Sequence, residues 1–382
     1  MAQLDAIPWE SFLRDDWQQR PRLFRQLLKD FEAPLSGEEL AGLALESDVE
    51  SRLVLGTPER GWRVRHGPFT EADFHETPDA DWTLLVQDVE KHLPDLAWLV
   101  DFFEGLPAWR FDDLMVSYAA PGGSVGPHVD AYDVFLLQGS GRRHWWIDNR
   151  PDAPRGETDA NGLRLLSSFT PNQDWILEPG DVLYLPPGVP HHGVALEACT
   201  TWSIGLRAPG ITDILAELIE DLEAGPDAPP LLSDPQRQMA SHPLEIDAGS
   251  RRRAREQLRN LLQDDRLLDR ALGRALSAPK PGFLDLEPGP GEHRKLNTLT
   301  RDDALERNPA ARVALLPADG VQPAVLYLNG QGMDIPAAAQ PLIEALTRHR
   351  LTHVETILPL LSDIQSRTLL QDLLDGGYWK AL

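Results

Sequence analysis

Cysteine is nearly absent. Cys199 is the single one in 382 residues, which excludes an intrachain disulfide and a zinc site built from several thiolates. Long apolar runs are absent too: no stretch reaches 18 residues, so no membrane-spanning helix is expected. The opening MAQLDAIPWESFLRDDW carries acids and no basic stretch ahead of an apolar core, so no secretory signal is expected and the reading is cytoplasmic. Positive charge is scarce. The 36 lysines and arginines face 60 aspartates and glutamates, a net of −24, of which −17 falls on residues 1–209, −3 on 210–282 and −4 on 283–382. Such a field opposes direct nucleic-acid binding, which draws on clustered Lys and Arg. It suits a basic partner, although solubility alone also accounts for it.

What remains is ordinary for a folded protein: 42% hydrophobic and 25% charged residues, with a length that allows two or three domains. Apolar spacing predicts helices at Trp9–Leu13, Arg22–Phe31 and Gly37–Leu45, the last with a capping box from Ser36 and Glu39. From Trp62 the texture changes to short apolar runs between Gly, Pro, Asp and Asn turns: Trp82–Val86, Leu114–Tyr118, Val134–Leu137, Trp145–Ile147, Val182–Leu185 and Trp202–Leu206. That is the pattern of an all-β sandwich or double-sheet barrel. After Arg207 the chain turns helical, with an apolar stripe over Ile211–Glu223 and a second helix over Ser250–Leu276 that starts with Arg251, Arg252, Arg253 and Arg255. Those arginines read as a solvated or ion-pairing face. Residues 279–292, PKPGFLDLEPGPGE, are the best connector in the chain. Strands at Ala311–Leu316 and Ala324–Asn329 and helices at Ala337–Thr347 and Ser362–Gly376 then make a small mixed module of winged-helix shape. The expected domains are 1–209, 210–282 and 283–382.

The chemistry lies in Pro121-Gly-Gly-Ser-Val-Gly-Pro-His128-Val-Asp130 and, later, Gly180-Asp-Val-Leu-Tyr-Leu-Pro-Pro-Gly-Val-Pro-His191. If His128–Tyr132 is extended, His128 and Asp130 point to one sheet face about 6–7 Å apart, so both reach one ion. His191 follows 63 positions on, behind a rigid Pro-Pro-Gly corner, and returns a third ligand. Two imidazoles and a carboxylate with open positions beside them form the facial triad of non-haem Fe(II) oxygenases. His192 would face away from its neighbour, and His144 reads as structural or exposed. Trp145, Trp146 and Trp202 read as core.

These residues resemble a known family. HVDAYDVFLLQGSGRRHW (128–145) with GDVLYLPPGVPH (180–191) looks like the JmjC-type bacterial ribosomal oxygenases. The resemblance implies a mainly β catalytic domain, a double-stranded β-helix of the cupin/JmjC jelly-roll kind with added helices, over 1–209. It implies an α-helical dimerisation segment over 210–282 and a winged-helix-like α/β module over 283–382. It implies Fe(II) held by His128, Asp130 and His191, with 2-oxoglutarate and O2 as cosubstrates and no catalytic residue beyond the metal site. Arg143 is implied as the anchor for the distal carboxylate of 2-oxoglutarate. A buried guanidinium suits that task, since it can hold a carboxylate through two parallel hydrogen bonds. Alternation along a strand then turns Arg142 outward. Ser117 and Thr201 on flanking strands offer hydroxyl support. The chain departs from some members in having Ala119 for a serine and Thr201 for an asparagine. Asp113, Tyr132 and Ser203 match positions that cradle a target guanidinium.

By resemblance the activity is 3-hydroxylation of an arginine in a large-subunit ribosomal protein by a cytoplasmic homodimer. The acidic first domain would draw in a basic ribosomal loop, and neither nucleic acid nor membrane is an expected partner. Three alternatives stay open at this point. A histidine hydroxylase would not need Asp113, a cupin metalloenzyme without 2-oxoglutarate would not need Arg143, and a non-catalytic ribosome-assembly scaffold would leave the triad idle.

Overall fold

The computed structural model describes residues 3–4, 7–103, 105–224, 231–235, 237, 239, 242–280 and 296–382. The chain divides into two compact units, residues 1–207 and 208–382. In the first, the major sheet is assembled from β1 (Arg22–Phe24), β2 (Ser51–Thr57), β3 (Gly61–His66), β4 (Trp82–Val86), β5 (Phe111–Ala119) and β6 (Asp133–Ser140). The chain then makes β7 (Arg143–Ile147), a hairpin of β8 (Glu157–Ala160) and β9 (Leu163–Leu166), β10 (Gln173–Leu177), β11 (Val182–Leu185), β12 (His191–Ala195) and β13 (Cys199–Leu206). The major sheet has the order β1-β11-β6-β13-β5-β4-β2-β3, and a minor sheet has the order β10-β7-β12. Every pairing is antiparallel.

Alternation along the strands explains the layering. On β6, Phe135 and Leu137 join the core that includes the N-terminal residues Phe12, Phe24 and Leu40. Val134 and Leu136, one residue out of phase, pack instead with Trp145, Ile147 and Leu177 of the minor sheet. Leu114 and Val116 of β5 and Trp202 and Ile204 of β13 fall on the first face too. With both faces covered, these strands read as continuous apolar runs.

Helix α1 (Trp9–Asp15) closes the outer face. Phe12 meets Tyr184 edge-on at 4.9 Å between centroids, and the Tyr184 hydroxyl donates to Asp133 Oδ1 at 2.5 Å. Helix α2 (Gly37–Leu43) has its capping box, with Glu39 N donating to Ser36 Oγ and Ser36 N donating to Glu39 Oε2. The helix expected over Arg22–Phe31 is not formed. Residues 22–24 are β1, paired with Val182–Tyr184, and Leu28–Lys29 is a second short strand. Gln26 and Asp30 take positive φ values of 48° and 54°, which a helix cannot contain. Tertiary pairing has overridden the apolar spacing here. The buried Asp181 carboxylate fixes this turn, accepting from Gln26 N (2.8 Å), Glu178 N (3.0 Å) and Arg25 Nη1 (2.6 Å).

The second unit begins with α4 (Ile211–Ala224), where α3 (Val89–His92) is one of two short α-helices described between β4 and β5 of the first unit. The single helix expected over Ser250–Leu276 is two, α5 (Ala248–Leu261) and α6 (Asp265–Ser277). The break comes at Asp264, which caps the second helix by accepting from Leu267 N. Two three-stranded sheets and α7 (Gln340–Arg348) and α8 (Ile364–Asp375) build the rest around a core of Leu305, Leu326, Leu342, Leu370 and Trp379. Beyond residue 280 the Pro/Gly-rich connector lies outside the described residues. Among the described residues no helix is long and apolar enough to cross a membrane.

Asp181→Ala leaves two backbone N–H groups without their acceptor and the Arg25 guanidinium with only the Ile176 carbonyl. It is expected to cost about 2–4 kcal/mol in urea unfolding, the range for breaking a buried charged hydrogen-bond set. A loss under about 0.5 kcal/mol, typical of neutral surface changes, would show that the turn holds without it.

Candidate active site

Two copies of one local pattern build the centre. Gly126-Pro127-His128 and Val189-Pro190-His191 are both X-Pro-His. In each, the histidine Nδ1 lies 2.9 Å from the carbonyl oxygen of X. A carbonyl only accepts, so Nδ1 carries the proton and the Nε2 lone pair is left free. The prolines hold their segments at a fixed φ, and their own carbonyls accept from neighbouring strands, Pro127 from Leu166 N and Pro190 from Asp148 N, both at 2.9 Å. The two histidines are then joined to each other by a reciprocal pair of backbone hydrogen bonds, His128 N to His191 O and the reverse, each 3.0 Å. The extended strand expected over His128–Tyr132 is reduced to this one bridge.

Asp130 completes the set. Its Oδ2 lies 3.8 Å from His128 Nε2 and 3.5 Å from His191 Nε2, and one ligand atom from each of the three lies within 4.8 Å of the others. Burial, and then the neighbouring His128, push the His191 imidazole down to about 4, so it is neutral at physiological pH. Neutral imidazoles and one carboxylate suit a divalent iron and leave the rest of its coordination sphere open. His192 points the other way, 3.0 Å from Ser124 Oγ. His144 lies 2.8 Å from Asp174 Oδ2 and stacks on Trp146. Trp146, expected in the core, is half-buried on the outer face, because β7 turns 143, 145 and 147 inward instead.

A cavity of about 300 Å³ opens on the triad, and all nine expected site residues line it: Asp113, Ser117, His128, Asp130, Tyr132, Arg143, His191, Thr201 and Ser203. Cross-strand register explains the gathering. Thr201 of β13 pairs with Ser117 of β5, Ser203 with Met115, and Gly205 with Asp113. Arg143 is buried, and burial lowers its pKa from the ordinary arginine value. Its Nη1 donates to Thr201 Oγ1 at 3.3 Å, while its Nε has no partner. No carboxylate among the described residues pairs with it, an arrangement that calls for an anionic guest. Arg142 is exposed and donates to Glu197. Trp145 lines the same cavity and lies near both, its ring centroid 5.6 Å from Arg143 Cζ and 5.9 Å from the His191 ring. Its paired residue, Gly193, makes this fit possible, since a Cβ there would sit 2.8 Å from the indole. Gly205 does the same for Asp113, whose Oδ1 would lie 2.6 Å from an added Cβ.

Residues 98–214 match the JmjC domain and residues 260–380 the ROXA-like winged helix, with 168–274 also matching the AraC-like ligand binding domain. Over 380 residues, 98% of both chains, the sequence is 34% identical to the ribosomal protein uL16 3-hydroxylase of Escherichia coli. The chain belongs to the ribosomal oxygenases. A 38% identity to a probable ribosomal oxygenase of Haemophilus influenzae covers 55% of this chain and 52% of that one. The structure of the E. coli ribosomal oxygenase YcfD in complex with cobalt and 2-oxoglutarate superposes with a TM-score of 0.84 at 34% identity, covering 100% of this chain and 99% of that one. Another YcfD structure holds cobalt and succinic acid, with a TM-score of 0.81. This oxygenase is therefore a mainly β JmjC protein with a C-terminal winged helix.

Several lining residues escaped the sequence reading, among them Arg52, Gln87 and Trp145. Arg52 carried a signal, a lone cation inside the apolar run Ser51–Leu55. Another hidden group stands just behind the cavity. Glu90 of α3 is fully buried and accepts from Leu114 N at 3.0 Å. Burial, and then the charge of Asp88, push its carboxyl up to about 8. The folded protein keeps a proton there that the unfolded chain releases near 4.5, so between those values stability falls as pH rises. Glu90→Gln removes that dependence, and its stability relative to wild type should climb between about pH 5 and 9 in denaturant titrations. Parallel curves would mean that Glu90 is ionised in the fold.

Proposed function

We propose that this oxygenase hydroxylates an arginine of a large-subunit ribosomal protein, uL16, at the 3-position, using Fe(II), 2-oxoglutarate and O2. The observation that carries the reading is one cavity holding both the His128–Asp130–His191 donor set and a buried arginine without a carboxylate. When bound, the iron and the oxo acid supply oxidative decarboxylation: 2-oxoglutarate, O2 and a C–H bond become succinate, CO2 and C–OH. The chain's residues do the rest. His128, Asp130 and His191 would hold the metal on one side. Arg143 would grip the distal carboxylate, with Ser117 and Thr201 offering hydroxyls beside it. Ser117 donates to the Thr201 main-chain oxygen at 3.3 Å and Thr201 Oγ1 to Gln138 Oε1 at 3.4 Å, so each hydroxyl would turn its proton from that acceptor to the carboxylate on binding.

Asp113 supports the choice of a cationic target. It stands on the cavity wall with Tyr132 and Ser203 beside it, and a carboxylate in a sheltered site favours a guanidinium over a neutral ring. The Tyr132 hydroxyl keeps its proton, held up by burial and then by the charge of Asp130, so it can both donate and accept. The net −17 of residues 1–209 would draw a basic ribosomal loop to the mouth. A ribosomal substrate supports a cytoplasmic reading. The homodimer reading rests on the helical segment 210–282, where Ile211, Ile219, Leu258 and Leu262 leave apolar side chains exposed.

Aerobic incubation with Fe(II), 2-oxoglutarate and an arginine-containing loop peptide of uL16 should add one oxygen to arginine, read by mass and fragment spectra. His128→Ala should abolish the gain. Arg143→Ala should raise the 2-oxoglutarate KM by about 10- to 100-fold, the worth of a charged hydrogen bond to a carboxylate. Oxygen on histidine would change the substrate, and no succinate on any ribosomal substrate would favour the scaffold. Light scattering at micromolar concentration should give twice the chain mass; a monomer would overturn the dimer.

A further inference from the structure

A second guanidinium lines the same cavity, and the reaction as described gives it no task. Arg52 sits on β2, in register with Leu85 of β4 and His66 of β3. Val54, its neighbour on the same strand face, packs with Leu85, Leu163 and Leu165, which places that face on the cavity side. The Arg52 Nε is buried and has no hydrogen-bond partner. Among the described residues no carboxylate stands within ion-pair range of it. A guanidinium left this way in a partly dry wall is costly unless a guest satisfies it.

Three guests compete for it. The target arginine is excluded as a direct partner, because like charges in a sheltered site repel. The distal carboxylate of the oxo acid already has Arg143, which is the more deeply buried cation of the two. What remains is the substrate main chain. Every residue of a bound polypeptide presents a carbonyl oxygen, whereas a basic loop offers few acidic side chains. A guanidinium fork can take one or two such oxygens. The neighbouring strand adds Gln87, two residues beyond Leu85 on the same face, whose amide can both donate and accept and which lines the cavity as well.

We propose that Arg52, with Gln87 on the adjacent strand, grips the main-chain carbonyls flanking the target arginine of the substrate polypeptide. Arg52 is thus a substrate-positioning residue for the reaction, distinct from the pair Arg143 and Asp113. This inference rests on the protein-hydroxylase reading above. A grip on the main chain explains how a cavity of about 300 Å³ serves a macromolecule: the side chain enters and the backbone stays at the rim, registered on a fixed cation.

The test uses the full-length enzyme with Fe(II), varying the uL16 loop peptide and 2-oxoglutarate separately. Arg52→Met should raise the peptide KM about tenfold with kcat within twofold, the loss expected when a charged hydrogen bond made equally in ground and transition states is removed. The 2-oxoglutarate KM and the slow succinate formation without peptide should not change, and Arg52→Lys should fall between. If Arg52→Met does not fold by circular dichroism, Arg52→Lys carries the measurement, since it keeps the charge and loses the fork. An unchanged peptide KM in a folded variant overturns the assignment, as does a raised 2-oxoglutarate KM with the peptide KM intact. A wild-type enzyme that oxidises no basic ribosomal peptide overturns the hydroxylase reading itself, and the role of Arg52 falls with it; that failure is visible before any variant is made.

Discussion

The site depends on the reciprocal hydrogen-bonded pair between the backbones of His128 and His191. A loop after β5 and the strand β12 come from distant parts of the chain, and this bridge is what sets their side chains at one point. Each ring is also tied to the carbonyl two residues before it, so position and tautomer are set by local geometry on both sides. A metal site assembled this way is preorganised, because the donors already face one another and little conformational freedom is lost when an ion arrives. The prolines at 127 and 190 contribute by removing backbone freedom from the two segments.

The second constraint is where charge is tolerated. The major sheet is covered on both faces, by the N-terminal helices on one and the minor sheet on the other, so the space between sheets is dry enough that each polar group in it needs a reason. Hydrophobic burial stabilises the layers, and the polar residues sit where strand alternation delivers them to the one opening. Ser117 and Thr201, then Met115 and Ser203, then Asp113 and Gly205 form successive rungs of one ladder. A side chain's height above the triad follows from register, which a slip of one residue would invert.

Much of this was legible in the sequence. The short apolar runs are the strands, and the two X-Pro-His segments gather where a metal reading needs them. Parity along β7 separates Arg143 from Arg142 and parity along β12 separates His191 from His192. The misses have separate causes. Arg22–Phe31 has helical spacing, but an edge of the major sheet was open to pair with it, and pairing across the chain outweighs a local pattern. Arg52 and Gln87 lie in β2 and just after β4, far from the motif in sequence, and only the strand order brings them to the same cavity. Glu90 shows no pattern at all, since burial of one carboxyl behind a sheet leaves no periodic trace. Trp146 reads as core because aromatic residues on barrel strands usually pack, and the phase of β7 puts it outside.

The close fit of Asp113 over Gly205 bears on how such an enzyme can change over generations. The two residues face each other across β5 and β13 with no room for even a methyl group between them. The two positions are not independent: a side chain at 205 requires the Asp113 carboxylate to swing aside, and a smaller residue at 113 would make room for one. Their effects are coupled through contact and will not add. On the proposed role of Asp113, loss of that carboxylate would open the space that a side chain at 205 needs, which ties the chemistry of the accepted side chain to the order in which the two substitutions arise.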